Sequence, residues 1–125
     1  MKINVQKTER KTLFGGSRYV VSTKVELTPE EQALVKRHDV GGIFSEAELY
    51  EIRDHIGNPA YDKFLKHGGA RFKTHVSGAN VEVDSLAAAD YFEAALMNGL
   101  KTLKESLLAN EQSANELGQK RSYEL

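Results

Sequence analysis

The clearest periodic pattern in the chain is a proline-free run of helix-forming residues from Ser85 to Asn110. Leucines recur within it at steps of four, three and four residues, and this spacing places them on one face of an α-helix. The four residues are Leu96, Leu100, Leu103 and Leu107. We therefore predict one long helix over this run, with its leucine face buried against the rest of the fold.

The same helix carries a second stripe, which is made of small side chains. Its members are Ala88, Ala95, Gly99, Thr102 and Ser106. Such a stripe allows another backbone to approach closely, and a heptad-like leucine spacing is typical of helices that self-associate. The predicted self-association contacts are Ala88, Ala95, Gly99, Thr102, Leu103 and Leu107. The alternative is that one chain buries both stripes by itself.

Two other stretches alternate apolar and polar residues at a period of two, which is typical of strands. Residues 3–5 and 19–27 flank Gly15-Gly16, a pair suited to a tight turn, and predict an N-terminal β-hairpin. The polar stretch 7–11 between them either extends the first strand or forms a cationic loop. Residues 72–76 and 81–83 flank another turn sequence and predict a second hairpin.

Three short helices are predicted between the hairpins from their capping signals. Thr28 and Ser45 are each followed three residues later by glutamate, which is the pattern of a capping box. A third start signal is Asn58-Pro59, because proline suits the first helical turn. The residues predicted to anchor the second and third helices are Leu49, Ile52, Ile56, Tyr61, Phe64 and Leu65, and glycine pairs at 41–42 and 68–69 end the first and third helices.

The predicted fold class is α+β. An antiparallel sheet of about four strands, built from two β-hairpins, packs against the long C-terminal helix, and the three short helices are inserted between the hairpins. Residues 1–110 are predicted to form a single α+β domain. Residues 111–125 lose the apolar period and are predicted to be a flexible or loosely docked tail, with residues 121–125 as a candidate edge strand.

Composition places the chain among ordinary soluble globular proteins. Its 125 residues are 40% hydrophobic and 28% charged, and no apolar run is long enough to cross a membrane. The N-terminus also lacks the apolar core of a signal peptide, so we expect a cytoplasmic protein. The absence of cysteine excludes disulfides, thiolate metal ligands and a cysteine nucleophile.

The small net charge of −1 conceals blocks of opposite sign along the chain. Residues 1–24 carry six basic side chains against one acid, whereas residues 25–54 carry eight acids against three bases. Residues 55–75 are again basic and contain three of the four histidines. These blocks are either binding faces or the solvated outer sides of successive elements.

Catalytic and cofactor motifs are too weak to support an enzyme. Glu51 and His55 share a helix face, but a catalytic zinc needs three protein ligands and the chain has no HExxH motif. His67 precedes two glycines without the GxSxG motif that would accompany an oxyanion loop, and Asp84 is better explained as a helix cap than as a partner of Asp90. We expect no catalysis, no cofactor and no metal.

Residues 29–84 offer a different function, because their predicted element order resembles that of a winged helix-turn-helix. Residues 58–67 would be its recognition helix, and the second hairpin would be its wing. The candidate contacts to nucleic acid or another anionic partner are Lys63, Lys66, His67, Arg71, Lys73 and His75, together with Arg10 and Lys11 of the N-terminal hairpin.

The first functional hypothesis is therefore a small protein-interaction or structural module without catalysis, which forms a homodimer through its long C-terminal helix. The alternative is a winged-helix-like nucleic-acid-binding protein that uses residues 58–84 and the basic N-terminal hairpin. We expect no interaction with a membrane.

Overall fold

A computed structural model describes residues 1–38, 43–66, 79–120 and 122–125. The chain forms an α+β fold, as the sequence predicts. In chain order the elements are β1 (Lys2–Lys11), β2 (Ser17–Glu26), α1 (Pro29–Arg37), α2 (Glu46–Ile56), α3 (Asn58–Lys66), β3 (Ala79–Val83) and α4 (Leu86–Asn115).

The sheet has three antiparallel strands in the order β1-β2-β3 across the described residues. The prediction of about four strands in two hairpins is therefore not matched. β1 and β2 form the predicted N-terminal hairpin, and β3 joins it by pairing with β2 from Tyr19↔Val83 to Thr23↔Ala79. Residues 72–76, the other predicted strand of the second hairpin, lie outside the described residues.

Alternation along the strands gives the sheet one apolar and one polar face. Val21 and Val25 of β2 and Val81 and Val83 of β3 are buried on the side that α4 covers. Successive side chains of a strand point to opposite faces, so the intervening residues lie on the other side of the sheet. Residues 7–11 are the outer part of β1, which settles the choice between a strand extension and a loop.

Helix α4 confirms the predicted long helix and its buried leucine face. Ser85, rather than Asp84, caps it by accepting a hydrogen bond from the Ala88 amide at 3.1 Å, and all four predicted leucines are buried. The helix extends to Asn115, five residues beyond the predicted end at Asn110. The last turns of α4 are joined to α1, because the Glu111 side chain forms hydrogen bonds with Arg37 and His38 at the end of α1.

The short helices begin where their capping signals predict. Thr28 and Glu31 form a complete capping box at the start of α1, and Ser45 and Glu48 form another at the start of α2. The apolar residues Ile52 and Ile56 are buried beneath α2, as predicted.

One predicted anchor of α3 is wrong. Leu65 is 40% exposed, whereas Phe64 is buried and meets the ring of Phe92 edge-on at a centroid distance of 5.3 Å. Ala60 is buried with Phe64 because residues four apart share a helix face. Leu65 follows Phe64 directly and therefore points about 100° away from that face.

Gly99 of α4 lies against Ile43 and Phe44, in the segment before α2. A β-carbon built at Gly99 would lie 2.7 Å from Cε1 of Phe44 and 3.2 Å from Cδ1 of Ile43. Both of these side chains are buried. The small residue at position 99 therefore makes room for apolar side chains of the same chain.

Candidate interaction surface

The β1–β2 hairpin holds its connecting loop in a defined conformation. The strands pair from Lys2↔Glu26 to Lys11↔Ser17, and residues 12–16 join them. Within the loop, the Thr12 amide donates to the Gly16 carbonyl at 2.7 Å and the Gly15 amide donates to the Thr12 carbonyl at 3.2 Å. Gly15 has φ = 84°, a conformation that glycine adopts without the steric cost of a β-carbon.

Two large apolar side chains stand at the end of this hairpin. Leu13 and Phe14 are each 99% exposed, and we call this pair the apolar tip. Single exposed apolar residues are common on soluble proteins, whereas an adjacent exposed pair at the end of a hairpin is a candidate contact surface. Aromatic and aliphatic anchors of this kind supply much of the binding energy when a partner covers them.

Sequence reasoning missed the apolar tip as a functional feature. The signal was available, because two large apolar residues stand directly before Gly15-Gly16 in a predicted hairpin turn. Hairpin turns ordinarily carry glycine, asparagine and other polar residues. An apolar pair at that place has no core to enter when the turn projects from the sheet.

Most of the basic side chains on the hairpin are neutralised by acids within the same chain. Lys7 bonds to Asp90 at 2.5 Å and lies 3.3 Å from Glu93, and these contacts raise the pKa of Lys7. Arg10, one of the predicted anion contacts, instead pairs with Glu82 of β3. The Arg10 hydrogen bond is the main reason why the pKa of Glu82 is lowered.

The remaining predicted anion contacts are divided between two regions. Lys63 and Lys66 lie exposed on α3, and Lys11 lies exposed at the end of β1. None of these three lysines forms an ion pair with another described residue. His67, Arg71, Lys73 and His75 lie outside the described residues.

The predicted self-association contacts on α4 are mostly covered within one chain. Ala88, Gly99, Leu103 and Leu107 are buried. Ala95 is partly buried, and exposed Thr102 donates its hydroxyl to the Asn98 carbonyl at 3.1 Å. A second copy could reach only these last two without opening the core.

His55 of α2, which shares a helix face with Glu51, packs α2 against α4. The His55 ring stacks on Tyr91 at a centroid distance of 3.6 Å, and Tyr91 donates its hydroxyl to Glu51 at 3.3 Å. Burial raises the pKa of Tyr91, and the negative charge of Glu51 adds to the effect. Over the ranges that the structure describes, no three histidine, aspartate or glutamate side chains are grouped as metal ligands would be.

Comparison with known proteins finds no significant match to this chain. No protein-family model matches the chain, and no curated sequence or solved structure is significantly similar to it. Among the helices of the described ranges, none is long and apolar enough to span a membrane.

Proposed function

We propose that the protein is a non-catalytic protein-interaction module that binds its partner through the apolar tip. The observation that carries this proposal is the 99% exposure of both Leu13 and Phe14 at the end of an ordered hairpin. Full burial of these two side chains would contribute about 3–6 kcal/mol of gross hydrophobic stabilisation to a complex. This contribution is enough to make the tip the main anchor of a small interface.

A protein partner fits the tip better than a phosphate-rich partner. Binding to nucleic acid requires lysine or arginine side chains that are available to neutralise phosphates. At the hairpin, Arg10 and Arg18 share Glu82, and Lys7 contacts two acids of α4. Lys11 is the nearest cation without an ion pair among the described residues, so the apolar side chains dominate the surface.

The homodimer predicted from the sequence remains part of this proposal, but its contact surface changes. Leu103 and Leu107 already have partners inside the chain, and Phe44 occupies the space beside Gly99. Self-association through the hairpin leaves this packing intact. We therefore favour the hairpin over α4 as the dimer contact.

Photo-crosslinking from the tip tests the proposal. A benzoylphenylalanine residue is introduced at position 14, and a control is made at position 117, where Leu117 is 80% exposed outside the hairpin. On irradiation of the cells that express the two variants, only the variant at position 14 should form discrete protein adducts. The crosslinked partner is either another copy of the chain or another protein. Equal adduct patterns from both positions, or none from position 14, would refute the proposal.

Nucleic-acid binding is the second candidate, and the exposed pair Lys63 and Lys66 on α3 favours it. Affinity for duplex DNA should then fall steeply as salt rises, and Lys63→Glu/Lys66→Glu should abolish binding. The matched control is Lys101→Glu/Lys104→Glu, which changes two exposed lysines of α4. Binding that is insensitive to salt, or equal loss in both variants, would remove this candidate.

A further inference from the structure

We draw no further inference here: the strongest candidate, the edge of β1 that has no strand beside it among the described residues and ends in the apolar tip, carries nothing because Lys7 and Arg10 already form ion pairs within the chain and nothing in the structure shows what covers the edge.

Discussion

The substitutions Leu103→Ala and Leu108→Ala test the placement of α4, because they make the same chemical change in one helix at two levels of burial. Leu103 is 2% exposed and Leu108 is 57% exposed. Removal of a buried leucine side chain loses its transfer free energy and leaves a cavity, at a cost of about 2–5 kcal/mol. We expect Leu103→Ala to reduce the free energy of unfolding by about 3 kcal/mol and Leu108→Ala by about 1 kcal/mol or less.

Urea denaturation followed by circular dichroism measures both changes. For a chain of this size, a loss of 3 kcal/mol corresponds to a fall in Tm of about 12 °C, which a thermal melt would show independently. The dependence of free energy on urea should stay the same, since neither change alters the surface exposed on unfolding by much. Equal destabilisation by the two variants would refute the assignment of the leucine face to the core.

Three further predictions concern packing and pH. Gly99→Val should lower the free energy of unfolding, measured by urea denaturation, by about 2–3 kcal/mol, because a β-carbon at position 99 would lie 2.7 Å from Phe44. The control Thr102→Val changes an exposed position and should have little effect. The Thr23 side chain is buried, and its hydroxyl has no hydrogen-bond partner among the described residues. Thr23→Val should therefore raise the free energy of unfolding by about 1 kcal/mol, and a loss of stability would contradict this reasoning. The hydrogen bond from His38, together with Arg37, lowers the pKa of Glu111 below its usual 4.5. The Glu111 carboxylate therefore stabilises the fold above pH 4.5, and this contribution disappears as the pH falls through the lowered pKa of the folded state. Glu111→Gln should therefore be less stable than the parent at pH 7 and equal to it at low pH, and a difference that persists in acid would contradict the linkage.

Local signals in the sequence predicted the helices well. The capping boxes at Thr28 and Ser45 and the leucine spacing of α4 depend on residues within one or two turns of each other. The interactions that define these elements are therefore present in the local sequence. Both boxes and the leucine face are found where the patterns predict them.

Long-range contacts could not be predicted in the same way. The end of α4 depends on Glu111 meeting Arg37 and His38, which are more than seventy residues away in sequence. Phe64 rather than Leu65 enters the core because Phe92 of α4 lies opposite it. No period or propensity near these residues contains that information.

The candidate surface was predicted in part. Alternation along residues 3–5 and 19–27 located the N-terminal hairpin, but it could not show that Glu82 would neutralise Arg10. The contact between Glu82 and Arg10 forms because β3 pairs with β2. This pairing places Glu82 opposite Val20 of β2, and β2 is the neighbour of β1. Exposure of the apolar tip likewise depends on where the hairpin ends relative to the core.

The solution mass of the protein, measured by sedimentation over a range of concentrations, tests most directly the claim that a second copy covers the apolar tip. The parent should approach twice the 13.9 kDa of one chain as concentration rises, while Leu13→Ser/Phe14→Ser should dissociate more readily. A mass of 13.9 kDa at every concentration for both proteins would contradict the claim.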